Sequence, residues 1–183
     1  TFSVLSVSSV LSVVNADMIL HTDNPFAGLD DAVTENEPLA PHTWYKIGGP
    51  ARWWVQPRSI EELQTAAQRC AENDIPVYVL GLGANLLVSD QGVNGAVFRF
   101  DQEFWRRVKF DKNTVEVGAG ADMQKLLVRT VRQGLAGIEC LAGIPGTVGG
   151  GVRMNAGGKF GDLGAVVTRV TVMDSEGTVF DRT

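Results

Sequence analysis

A chain of 183 residues, 44% of them apolar, can bury a real core as one domain or two small interlocked subdomains. Its formal net charge of −5, with no basic block, excludes nucleic acid or an anionic membrane surface as its main partner. Two cysteines, Cys70 and Cys140, lie outside any C-x-x-C pattern and read as free, buried thiols of a reducing cytoplasm; His21 and His42 are unclustered, so no metal site is expected.

The chain opens on "TFSVLSVSSVLSVVNADM", an uncharged run up to Asp17 that alternates serine with valine and leucine. It lacks the basic n-region of a secretory signal and is short for a membrane span. Residues 1–22 are expected to be an extension, disordered or an adventitious β-strand, with Met18 a candidate start. Residues 23–41, "DNPFAGLDDAVTENEPLAP", read as an acidic arm with one short helix near 28–33. "WYKIGGPARWWVQP" predicts a strand, a Gly-Gly-Pro turn and a second strand. "SIEELQTAAQRCAENDI" predicts a helix: Ser59 is the N-cap, Glu62 stands three residues on, and Ile60, Leu63, Ala67 and Cys70 or Ala71 share a face. "PVYVLGLG" predicts a buried strand, and "GAVFRF" and "TVEVGAG" two more. "DMQKLLVRTVRQGL" predicts a second helix with Leu126, Leu127, Val131 and Leu135 on its apolar side and Gly134 near its end. "VVTRVTVMDSEGTVF" predicts a hairpin turning at "DSEG". Strands interleaved with two helices make an α/β or α+β layer fold.

Two glycine-rich stretches carry the chemical signal. "LGLGANLLVSD" follows a predicted strand, and "GIPGTVGG" is the centre of residues 141–158, which hold seven glycines. Backbone N–H groups in such turns form concave nests for phosphate oxygens, and glycine lets the ligand come close. Each turn alone is also explained by a hairpin or a tight junction. "GLGANL" is not a dinucleotide fingerprint, because the third glycine is missing, and no Gly-Lys-Ser/Thr is present. Asn155 can offer an amide to a ligand or simply tolerate a left-handed turn. Arg153 reads as a rim cation, Trp44, Trp53 and Trp54 as stacking or packing rings, and no acid–base, Ser/His or Cys/His pair stands at a useful spacing.

In their order, "HTWYKIGGPARWWVQP", "PVYVLGLGANLLVSDQGVNGAVF" and "VEVGAGADMQKLLVRTVRQGLAGIECLAGIPGTVGGGVRMNAGG" resemble the UDP-N-acetylenolpyruvoylglucosamine reductases (MurB) over roughly residues 39–182. The resemblance implies an α+β fold of two small interlocked α/β subdomains, of the FAD-binding type seen in vanillyl-alcohol oxidase and p-cresol methylhydroxylase. It divides residues 23–183 into subdomains of about 39–100 and 101–183 and leaves a C-terminal substrate-binding domain absent. It implies FAD as cofactor, held by Gly81, Leu82, Gly83, Ala84, Asn85 and Leu86, by Gly118 and Ala119, and by Ile144, Pro145, Gly146, Gly149, Gly150, Asn155 and Gly157. It implies NADPH as co-substrate and a UDP-sugar substrate: UDP-N-acetylglucosamine enolpyruvate is reduced to UDP-N-acetylmuramate in cytoplasmic peptidoglycan synthesis. Ala84 stands where the family carries serine, removing one hydroxyl donor, a loss of about 1 kcal/mol where that bond exists. The family's catalytic arginine, protonating serine and glutamate fall beyond Thr183, so no catalytic residue is assigned in this chain and the chain alone is expected to be inactive. A non-catalytic flavin-binding module is the alternative, and a dimer through the face left by the absent domain is a further expectation.

Overall fold

The computed structural model describes residues 2–5 and 24–183. In chain order the elements are β1 (Phe2–Leu5), β2 (Val33–Pro38), β3 (Pro50–Val55), α1 (Ile60–Glu72), β4 (Val77–Leu80), β5 (Val93–Arg99), α2 (Glu103–Arg106), β6 (Val108–Asp111), β7 (Thr114–Gly118), α3 (Met123–Arg132), α4 (Val148–Met154), β8 (Gly157–Gly158), β9 (Gly161–Asp162), β10 (Val167–Met173) and β11 (Val179–Arg182). They divide into two units. Of the described residues, the first holds 24–99 and 174–178, and the second holds 2–5, 100–173 and 179–183.

The first unit is a four-stranded sheet in the order β2-β3-β5-β4, with β5 parallel to β3 and β4, and β2 antiparallel to β3. The helix expected near residues 28–33 is not there. Asn24 Oδ1 accepts the Phe26 N–H at 2.9 Å and Gly28 takes φ 83°, so the chain turns and enters β2 instead. "VTENEP" is a poor strand sequence by propensity, but it forms an edge strand, and charges on an edge resist further pairing. The strand expected before the Gly-Gly-Pro turn is also absent. Buried Thr43 closes that segment into a turn, its hydroxyl donating to the Ile47 carbonyl at 2.9 Å. Helix α1 follows its capping signal: Ser59 Oγ accepts the Glu62 N–H at 3.3 Å, and Leu63, Ala66, Ala67 and Cys70 are buried. Glu62 accepts from the Arg58 N–H and pairs with its guanidinium, each at 2.7 Å. Arg58 thereby holds the Glu62 carboxyl below the usual carboxylate range. Strand β4 is a half-buried edge, not the buried strand its apolar run suggested, because only β5 pairs with it. Leu39, Ala51, Trp54, Leu80 and Val97 form one core cluster.

Both cysteines are free, but only Cys70 is buried, at 1% exposure; Cys140 is half-buried. Burial pushes the Cys70 thiol up to about 12 from an ordinary 9.0. A raised folded value stabilises the fold fully below the unfolded thiol's pKa, and the benefit is lost as pH climbs from about 9 toward about 12. At pH 10 the loss is about 1.4 kcal/mol. Two outcomes are expected: a thiol reagent modifies Cys140 long before Cys70 in the native chain, and Cys70→Ala flattens the alkaline decline in unfolding free energy. Equal modification rates at the two sites contradict this assignment.

The second unit is a five-stranded sheet, β11-β10-β1-β7-β6. Its central strand is β1, parallel to both β7 and β10; Phe2 pairs in register with Val115, and Val4 with Val117 and Val170. The remainder of the expected N-terminal extension lies outside the described residues. The β10–β11 hairpin is antiparallel as expected. Its turn uses Asp174 Oδ1 to accept the Glu176 and Thr178 N–H groups, with Gly177 at φ 86°. Helix α3 starts at Asp122, whose carboxylate accepts the Lys125 N–H at 2.9 Å. Its buried stripe is Met123, Leu126 and Thr130, whereas Val131, expected inside, is 57% exposed. Val115, Val117, Ile138, Leu141, Val148 and Leu163 join Met123 and Leu126 in the core. The "GIPGTVGG" stretch follows a short 3-10 turn (Glu139–Leu141), and its glycines continue into helix α4.

Candidate functional site

In the first unit the candidate segment is the loop after β4. Residues 81–86 have no regular structure, and all lie on one short arch. Gly83 is its pivot: it is buried, takes φ 65°, and its carbonyl accepts the Trp44 N–H at 3.0 Å. A Cβ on Gly83 would stand 2.5 Å from the His42 carbonyl oxygen and 2.8 Å from Thr43 Cα. Only glycine fits, and the reason is both conformation and space. Among the described residues, the N–H groups of residues 81–86 donate to no backbone carbonyl. They form a set of open donors, as a diphosphate nest requires. Leu86 and Leu87 beyond the arch are exposed, as are Trp44 and Tyr45 in the adjoining turn. Trp53 and Trp54 are core residues instead. His42, which carried no role in the sequence, stacks on Trp54 with ring centroids 4.4 Å apart and meets Glu37 Oε1 at 2.9 Å. It props the turn against which Gly83 packs.

The second unit, taken by itself, holds three candidate segments. The first is the β7 end, where Gly118 is placed by the Trp105 backbone. A Cβ there would meet the Trp105 carbonyl oxygen, while the Gly118 N–H donates to the Arg107 carbonyl at 2.9 Å. Ala119 follows, buried, its carbonyl accepting the Gly149 N–H at 2.8 Å. The second is α4, with Thr147 Oγ1 accepting the Gly150 N–H at 3.2 Å and the Val148 N–H donating to the Ala121 carbonyl at 2.9 Å. Three consecutive glycines are poor helix formers. Here they let the helix lie against its neighbours: a Cβ on Gly149 would approach Ala119 Cβ to 2.9 Å, and one on Gly151 would approach Met123 Sδ to 3.0 Å. The amides of Gly118, Gly149 and Gly150 are therefore already partnered. These glycines shape the wall, and their N–H groups are not the open donors that the sequence suggested.

The third segment is residues 143–146. Gly143, Ile144, Pro145 and Gly146 make a turn fastened to α3: the Met123 N–H donates to the Gly146 carbonyl at 3.0 Å, and the Gln124 side chain bonds to three backbone groups nearby. Gln124 has no motif to mark it; a glutamine in the first turn of a helix reads as surface. Glu139, just upstream, accepts from its own amide and from the Gly137 N–H at 2.7 Å, which keeps its carboxyl below the usual range. Asn155 ends α4 at φ 45°, and its Oδ1 accepts the Gly164 N–H at 2.8 Å. Half of its amide is thus structural, in keeping with a left-handed cap. Gly157 lies in β8, packed against Gly161 and Asp162 of β9.

The family described as "FAD binding domain" matches residues 51–182. The chain belongs to that family. Among curated relatives of this FAD-binding chain, UDP-N-acetylenolpyruvoylglucosamine reductase 2 of Symbiobacterium thermophilum is 45% identical over 141 residues, 77% of this chain and 46% of the relative. The reductase of Anaeromyxobacter sp. is 43% identical over 148 residues, 81% of this chain and 46% of the relative. The chain spans about half the length of the curated relatives it matches. Among solved structures, the MurB reductase of Thermus caldophilus aligns with a TM-score of 0.67 at 36% identity, covering 82% of this chain and 51% of that one. A solvent-stable cholesterol oxidase aligns at 0.57 with 19% identity, over 82% of this chain and 32% of that one, a likeness of fold alone. The α+β, FAD-binding architecture expected from the sequence is the one present.

Proposed function

We propose that this chain is the FAD-holding portion of a cytoplasmic, NADPH-dependent reductase that converts UDP-N-acetylglucosamine enolpyruvate to UDP-N-acetylmuramate for peptidoglycan synthesis. The observation that carries the reading is the 45% identity to a reductase of that name over 141 residues, in a chain whose first-unit loop offers open backbone amides around a glycine that nothing larger can replace. FAD, when bound, supplies hydride transfer between the nicotinamide and the enolpyruvyl double bond.

The chain's own residues bind and orient. Residues 81–86 donate backbone N–H groups to the diphosphate, and Gly83 lets the phosphate oxygens approach the main chain. Ala119, Ile144, Pro145 and Gly146 offer further backbone surface. Gly118, Gly149 and Gly150 keep β7 and α4 close enough to hold that surface in shape. Asn155 retains one amide face for a ring or phosphate contact, and Gly157 keeps the following turn narrow. Neutral amides suffice for an anionic ligand, so an acidic chain is no obstacle. No side chain here is assigned as proton donor or catalytic cation.

The test is an absorbance spectrum of the purified chain before and after adding FAD and desalting. A retained flavin band is expected, with a rise in unfolding temperature in excess FAD, since a ligand of the native state stabilises it by mass action. A protein that stays colourless and melts unchanged in excess FAD sinks the reading.

A further inference from the structure

We infer that Gln124 is the positioning residue of the Ile144–Gly146 turn, setting the backbone that the proposed function presents to FAD. Gln124 Nε2 donates to the Leu141 carbonyl at 2.9 Å and to the Ile144 carbonyl at 2.8 Å, and its Oε1 accepts the Gly143 N–H at 3.1 Å. One side chain thus grips residues 17 to 20 positions further along the chain. The turn needs such a grip because its own sequence cannot supply one. Pro145 has no N–H, and the residue before a proline is driven to extended backbone. Gly143, at φ 81° with nothing near its missing side chain, and Gly146 add freedom rather than restraint. Among the described residues, the Ile144 carbonyl has no other donor, and the remaining anchors of the turn are the Ile144 N–H to the Leu141 carbonyl and the Met123 N–H to the Gly146 carbonyl. Helix α3 is fixed independently, by its Asp122 cap and by buried Met123 and Leu126. Gln124 therefore adds three side-chain bonds from this fixed helix to a segment otherwise held by two backbone bonds. A primary amide supplies what this grip requires, two donors for two carbonyls and one acceptor for one N–H.

The inference rests on the flavin reading for its consequence but not for its geometry, and the experiment separates the two. In the full 183-residue chain, Gln124→Leu keeps the volume and removes all three bonds. Gln124→Glu keeps the acceptor and loses both donors until it is protonated. Flavin fluorescence titration is expected to show FAD binding weakened about tenfold or more in Gln124→Leu. In Gln124→Glu the affinity should recover toward wild type as pH falls from about 6 to about 4, through the ordinary carboxylate range, while wild type shows no such gain, because the protonated carboxyl again donates to the Ile144 carbonyl. A purely stabilising role predicts no such pH profile. Amide exchange on the flavin-free chain gives the second readout: Gly143 should exchange about tenfold faster in Gln124→Leu, with the Val115 and Val117 amides unchanged. FAD affinity within twofold of wild type in Gln124→Leu overturns the positioning role. So does unchanged Gly143 exchange, even in a chain that fails to bind FAD and so defeats the flavin reading alone.

Discussion

Gly83→Ala is expected to abolish retention of FAD while leaving the first unit folded. Two penalties combine at this position. An alanine at φ 65° carries about 1–2 kcal/mol of left-handed strain. Its Cβ would also sit 2.5 Å from the His42 carbonyl oxygen and 2.8 Å from Thr43 Cα. Neither atom is the end of a flexible side chain. Both belong to a turn closed by the Thr43 hydroxyl and propped by His42 on Trp54. Overpacking of this kind costs about 1–3 kcal/mol. Together the terms fall below the stability of an ordinary domain, so the arch moves rather than the unit unfolding. A moved arch no longer aims its amides. The measurement is the ratio of flavin to protein absorbance after desalting, with the fluorescence of buried Trp53 and Trp54 reporting the fold. Gly28→Ala is the control: it has the same sign of φ, at 83°, with nothing within 4 Å of the added carbon. It should lower stability by about 1 kcal/mol and leave flavin retention intact. Normal flavin content in Gly83→Ala contradicts the assignment of the arch.

Gly118→Ala is expected to be strongly destabilising in the second unit. Here φ is ordinary, and the whole effect is crowding. The added carbon meets the carbonyl oxygen of Trp105, a residue 1% exposed whose ring lies tilted at 60° to Phe100 with centroids 4.8 Å apart. That carbonyl also accepts the Gly120 N–H at 2.9 Å, so moving it breaks a hydrogen bond. The neighbouring Gly118 N–H to Arg107 bond holds the strand in place from the other side. A loss of about 3 kcal/mol or more follows from forced backbone displacement in a packed core. For a chain of this length that is roughly a 6–12 °C fall in Tm by circular dichroism. Gly158→Ala, with nothing within 4 Å, should melt with wild type. Coincident melting of Gly118→Ala and Gly158→Ala shows that the β7 end yields more easily than its contacts imply.

Local patterns were readable where a short stretch settles its own conformation. Ser59 and the apolar spacing after it specify α1, because the cap and the buried stripe of Leu63, Ala67 and Cys70 agree. The hairpin at residues 174–177 is legible for the same reason: Asp174 and Gly177 have the turn's own chemistry. The glycine-rich wording, in its order along the chain, indicated an FAD-binding fold through its resemblance to the MurB reductases. Where two local answers were equally good, packing chose. Leu126, Leu127 and Val128 are consecutive, so α3 could bury either of two stripes, and the start at Asp122 turned Met123 and Leu126 inward. The polar "VTENEP" became a strand only because β3 offered an edge to pair with.

The glycine run shows the division most clearly. Sequence alone establishes that residues 141–158 need freedom from side chains, since no other property unites seven glycines. It does not establish which of them face a ligand. That depends on atoms remote in the chain: Ala119 takes the Gly149 amide, and Trp105 fills the space beside Gly118. A hydrogen-bond donor can be given once, and whether it is given to the fold or left for a phosphate is settled only when distant segments are brought within about 3 Å of it.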